Sequence, residues 1–198
     1  MAALRSFVGV APSRRSQDNA ERCELCNVSL PKRHRHLLEM PVRKIVCACD
    51  PCGLRFQNVI DGRFKLIPRD VRSLRDFQIQ DEEWEALALP INLAFFFHST
   101  SLDKVVAMYP SPAGATESLL PLSAWYTLLA RNAPLGGMEP DVEALLVNRV
   151  NDSRTYFIAP IDLCYELVGT IRANWRGLSG GEEVWKKIGE FFSDLTHA

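Results

Sequence analysis

Five of the six cysteines fall between residues 23 and 52, as Cys23-Glu-Leu-Cys26 and Cys47-Ala-Cys49-Asp-Pro-Cys52. Cys23/Cys26 and Cys49/Cys52 are two C-x-x-C pairs, the spacing of a tetrathiolate metal site. Each pair can chelate from one tight turn, and the residues between them suffice for a hairpin that brings the turns together. Thiolates are soft donors, so zinc is the expected occupant and iron the alternative. Four thiolates close the metal's shell and leave no position for substrate. Such a site builds structure, folding a module too small to fold alone.

Cys47 precedes Cys49 by two residues, and on a strand both would point to one face. It reads as a small half-buried thiol beside the site. The sharper alternative is an extra ligand, or a reactive thiol whose pKa the metal and nearby Arg and Lys depress. His34 and His36 flank Arg35. A His-x-His in a metal module invites a ligand or general-base role. On a strand both would face one way, into solvent among Lys32, Arg33 and Arg35 or beside the metal ligands as their support. HNH-nuclease fingers also place histidines between C-x-x-C pairs. Here Gly53 follows the second pair where those enzymes carry a polar residue, and no Asn/His combination follows in the helix.

Other polar constellations reduce to structure. Arg176-Gly-Leu-Ser-Gly-Gly-Glu-Glu183 lacks a Walker lysine, and its two carboxylates would repel phosphate. Ser179-x-x-Glu182 reads as a capping box. Asp162 and Glu166, one turn apart, read as the solvated edge of a core-packing helix. With no Ser/His/Asp, Cys/His or dinucleotide fingerprint, the chain is not expected to be an enzyme.

The elements that must position the cysteines follow from local pattern. Asn27, just after the first pair, suits a left-handed turn residue. Leu37-Leu38 and Ile45-Val46 flank a turn at 41–44 and predict a hairpin. Asp50 is the expected N-cap, and Pro51 the first residue, of a helix that starts at the second pair. Knuckle, hairpin and helix make a treble-clef or zinc-ribbon-like finger over 21–60, behind a flexible leader, 1–20. Residues 61–198 alternate differently. They predict a strand at Arg63–Ile67, a short helix at Asp81–Leu89, and a hairpin from Ile91–His98 and Lys104–Tyr109. A helix at Leu122–Ala130 follows, then a second hairpin from Glu143–Val150 and Thr155–Ala159, with a helix at Ala144–Val147 as the alternative. Helices at Asp162–Trp175 and Gly181–Leu195 close the chain. Grouped hairpins predict an α+β domain on an antiparallel sheet. The loops Tyr109–Ser118 and Arg176–Glu183 are candidate partner surfaces, with Ser111, Gly114, Thr116, Glu117, Arg176, Ser179 and Glu182 as the exposed polar and small residues.

The formal net charge of −1 hides an asymmetry. Residues 1–72 hold 14 Lys/Arg against 7 Asp/Glu, and residues 73–198 hold 9 against 17. A basic front could meet nucleic acid, but no Lys/Arg run of that kind is present, and docking of the two halves on each other is preferred. No apolar run is long enough to cross a bilayer, and no secretory signal is recognisable. Reduced thiols in a cytoplasmic protein are therefore expected.

With these residues in view, the chain resembles a bacterial family, best known in actinobacteria, whose genes lie beside those of high-affinity uptake nickel–iron hydrogenases. The resemblance rests on Glu21-Arg-Cys-Glu-Leu-Cys26, His34-Arg-His-Leu-Leu38, Cys47-Ala-Cys-Asp-Pro-Cys52, Leu93-Ala-Phe-Phe-Phe97 and Tyr109-Pro-Ser-Pro-Ala-Gly-Ala-Thr-Glu-Ser118. It continues through Glu139-Pro-Asp-Val-Glu-Ala-Leu-Leu-Val-Asn-Arg149 and Trp175-Arg-Gly-Leu-Ser-Gly-Gly-Glu-Glu-Val-Trp185. It implies an accessory protein for hydrogenase assembly, maturation or electron-transfer coupling, with hydrogenase subunits or maturation factors as partners; with the cysteine pattern, this gives a zinc-binding accessory protein. The alternatives are an iron-binding electron-transfer protein, rubredoxin-like or iron–sulfur, a nucleic-acid-binding finger, and a metallochaperone that holds nickel or iron transiently through Cys47 and the histidines.

Overall fold

The computed structural model describes residues 21–57, 62–119, 122–177 and 180–197. The leader expected over 1–20 and the boundary drawn at 60/61 lie outside them. The chain is α+β, and every paired strand is antiparallel. No helix of the described residues is long and apolar enough to cross a membrane.

The cysteine-rich part forms as its pattern predicts, with two differences. Strands β1 (Arg35–Glu39) and β2 (Lys44–Ala48) make the hairpin, with Leu37 opposite Val46. Helix α1 spans Asp50–Phe56, so its N-cap is Cys49 rather than Asp50. The Asp50 carboxylate is drawn sideways instead, accepting a 2.6 Å hydrogen bond from Arg35 Nε. The second difference is strand β3 (Phe64–Leu66). It pairs with β1, placing Leu66 opposite Leu37, and completes a three-stranded sheet of order β2-β1-β3. Phe64 and Leu66 thus pack against the small core of Cys23, Leu30, Leu37, Val46, Ala48 and Cys52.

The second sheet has six strands in the order β4-β9-β8-β5-β6-β7. These are β4 (Arg72–Ser73), β5 (Leu93–Ser99), β6 (Lys104–Ser111), β7 (Gly114–Ser118), β8 (Glu143–Asn148) and β9 (Thr155–Pro160). Both of its faces are covered, which is why Leu93-Ala-Phe-Phe-Phe97 can be apolar without alternation. Phe95 and Phe97 face a core shared with helices α4 (Ile161–Asn174) and α5 (Glu182–His197). Ala94 and Phe96 face Trp84 of α2 (Asp81–Glu85) and Trp125 and Leu128 of α3 (Leu122–Arg131). The segment Ala144–Val147 is strand, not helix, and all of β8 is buried. Tyr109–Ser118, expected as a loop, is instead the tight β6–β7 hairpin. Ser111 lies opposite Gly114, whose φ of 119° a side chain would strain.

The finger is not an appendage. Leu38 of β1 and Ile67, just after β3, are buried in the same core as Phe95, Phe157 and Ile171. The charge asymmetry meets across this seam. Lys65 Nζ lies 2.7 Å from Glu139. Arg43 Nη1 is 3.5 Å from the fully buried Asp141, which also accepts the Thr100 N–H (2.9 Å) and hydroxyl (2.7 Å).

Because Leu38 fills the common core, Leu38→Ala is expected to lower global stability by roughly 2–5 kcal/mol. Urea unfolding followed by the fluorescence of buried Trp84 and Trp125 measures this, since both lie in the large domain. An unchanged midpoint would mean that the finger unfolds independently.

Candidate metal centre

Two local folds deliver the four paired cysteines. In the first, the Cys23 N–H donates to Val28 O and the Asn27 N–H to Cys23 O, each at 2.8 Å. Asn27 closes this knuckle with φ 63°, the left-handed conformation its type allows. Glu24 ties the knuckle to β2: its N–H donates to Cys47 O, and its carboxylate takes the Cys47 N–H (2.9 Å) and the Lys44 ammonium. In the second fold, Cys49 caps α1 and Cys52 lies in its first turn, where the Gly53 N–H bonds Cys49 O at 2.8 Å.

The sulfur atoms of Cys23, Cys26, Cys49 and Cys52 consequently lie within 4.8 Å of one another. Cys26 Sγ and Cys49 Sγ are 3.6 Å apart, close to the edge of about 3.8 Å that follows from tetrahedral metal–sulfur bonds of about 2.3 Å. All are free thiols; Cys23 and Cys52 are buried and Cys26 is exposed. Donor set and spacing fit a metal ion that prefers sulfur. Such an ion would supply a cross-link between the knuckle and α1.

The four thiols are not equivalent. Burial pushes Cys23 up, but the N–H groups of Cys49, Leu25 and Cys26 outweigh it and bring the thiol from 9.0 down to about 6. Cys52 moves the opposite way, raised by burial and by its contacts with Cys49, Cys26 and Cys23. The Val28 N–H lowers Cys26, yet its contacts with Cys23 and Cys49 leave it raised.

Cys47 lies elsewhere. Strand β2 ends at Ala48, so the alternation that would align Cys47 with Cys49 stops before Cys49 is reached. Cys47 sits opposite His36 on β1 and clusters with His34 and His36, not with the four sulfurs. Its thiol is raised, by burial and then by Glu21 and Glu24, with Lys44 opposing. Cys164, the sixth cysteine, is fully buried in the large core and is also raised by burial.

Asp162 departs from the solvated helix edge expected of it. Its Oδ2 accepts a 2.6 Å hydrogen bond from His36 Nδ1, while Oδ1 takes the Leu163 N–H at 2.8 Å. The candidate partner residues of the first loop hydrogen-bond among themselves. The Ser111 hydroxyl donates to Gly114 O (3.0 Å) and accepts from Thr116 (3.0 Å), and Glu117 pairs with Lys104 (3.1 Å). Arg176 and Glu182 are exposed, and Ser179 lies outside the described residues. Between the two segments is a cavity of about 280 Å³ lined by Leu93, Pro110, Ile171, Trp175, Trp185 and Ile188.

Compared with known proteins, the chain matches no curated protein and no solved structure. It does match one family model along almost its whole described length. With its cysteine cluster, antiparallel sheets and closing helices inside the matched residues 22–198, the chain belongs to the DUF5947 family, a family of unknown function.

Proposed function

We propose that the protein is a zinc-binding accessory protein that acts through protein–protein contacts in nickel–iron hydrogenase assembly or maturation. The observation that carries the metal half of this reading is the convergence of four sulfur atoms within 4.8 Å from two separate C-x-x-C turns. A closed sulfur shell suits a structural ion, and the finger's packing against the large core gives that ion something to hold in place. The hydrogenase assignment is supported by the resemblance to the family encoded beside uptake hydrogenases. The β6–β7 hairpin, at the edge of the six-stranded sheet, and exposed Arg176 and Glu182 are the surfaces offered to a partner.

Metal content and a visible spectrum of untagged protein, purified without added metal, test the first half. Zinc in a colourless sample is expected, and iron with thiolate charge-transfer bands would overturn it. Cys26→Ser should lose that ion together with hydrogen-exchange protection over residues 22–57, because structural zinc contributes on the order of 10 kcal/mol to folding. The second half is tested by deleting the gene in a host that carries it. Uptake-hydrogenase activity should fall while its structural subunits are still made.

A further inference from the structure

We propose that His34, His36 and Cys47 form a second metal site, separate from the four-thiolate site, that takes a borderline divalent transition metal and leaves one coordination position open. One donor atom from each of the three lies within 4.8 Å of the others. Register and a ring contact produce the cluster: Cys47 is directly opposite His36 across the β1–β2 ladder, and the ring of His34, one residue before β1 begins, lies 4.7 Å from that of His36. The opposite face of the hairpin carries Leu37, Val46 and Ala48, which pack with Cys23 and Cys52. The four-thiolate ligands come from the knuckle and α1 rather than from these strands, so the two sites draw on different elements.

The hydrogen bonds select the ligating atoms. His34 Nδ1 is 3.0 Å from Pro31 O, and His36 Nδ1 is 2.6 Å from Asp162 Oδ2. A carbonyl and a carboxylate can only accept, so each Nδ1 donates, and in the neutral ring that binds a metal it is Nε2 that offers the lone pair. The His34 side chain is only 5% exposed, yet its Nε2 has no hydrogen-bond partner. A buried ring held in one tautomer with its basic nitrogen unused is unusual for a structural histidine and usual for a metal ligand. Asp162 behind His36 completes the carboxylate–histidine arrangement that orients ligating imidazoles. Metal binding would release the Cys47 thiol proton to solvent. Two imidazoles and a thiolate suit zinc, cobalt or nickel rather than magnesium or calcium, and three protein ligands leave a position for water or for a donor from a partner.

The test uses the whole chain, stripped with chelator and titrated with cobalt(II) alone. Wild type should take two equivalents, one in an all-sulfur shell and one whose X-ray absorption shows nitrogen together with sulfur. His36→Ala and Cys47→Ser should each stop at one equivalent, in the all-sulfur shell, which also reports that the finger has folded. Asp162→Asn should keep both but weaken the second about 10- to 100-fold. The proposal is overturned if wild type stops at one all-sulfur equivalent, or if the second equivalent has no nitrogen ligands. It is equally overturned if both single variants still bind two. Loss of the all-sulfur equivalent with the mixed one retained would count against the four-thiolate reading alone.

Discussion

The two-residue repeat of strand β1 is the constraint on which the arrangement rests. Five residues, Arg35–Glu39, lie between β2 and β3 and serve two interiors at once. Leu37 points into the thiol-lined core of the finger, while its neighbour Leu38 points into the core of the large domain. A slip of one residue would exchange these faces. It would turn the histidines toward the sulfurs and expose a leucine in the seam. Correct pairing on both sides of β1 is therefore a condition for either cysteine cluster to exist.

The seam around β1 combines apolar contact with charge. Leu38, Ile67 and the partly buried Met40 and Ile45 supply the area, and Arg43, Lys65 and His36 meet Asp141, Glu139 and Asp162 around them. Asp141 is the demanding partner. It is fully buried, and a carboxylate there is tolerable because backbone, hydroxyl and guanidinium donors converge on it. The basic front and acidic back of the chain are in this sense two halves of one interface, which leaves less of the front's charge free for an outside polyanion.

Much of this could be read from local pattern. The cysteine pairs, Asn27 at its left-handed turn, and the unbroken apolar run at Leu93–Phe97 all signal their roles within a few residues. Part of the rest depends on contacts distant in sequence. Phe64 and Leu66 alternate as any strand would, and nothing local tells which sheet they join. Asp162 sits on a helix face that looks solvated until residue 36, 126 positions earlier, is placed beside it. Cys47 was aligned with Cys49 by a strand rule that fails because the strand ends one residue too soon. The Tyr109–Ser118 hairpin is local, with Ser111 opposite Gly114, and its small residues and prolines mask the strand pattern.

The separation between His36 and Asp162 also sets an order of events during synthesis, which proceeds from the N-terminus. Once residue 66 has left the ribosome, the knuckle, both cysteine pairs and all three strands of the small sheet are available, so the four-thiolate turns can close on the nascent chain. The carboxylate that orients His36 is made about a hundred residues later and must wait for β9 to pair before α4 can present it. The four-thiolate cluster thus has all its residues early, whereas the histidine side of the hairpin is complete only once Asp162 has been made and α4 has docked.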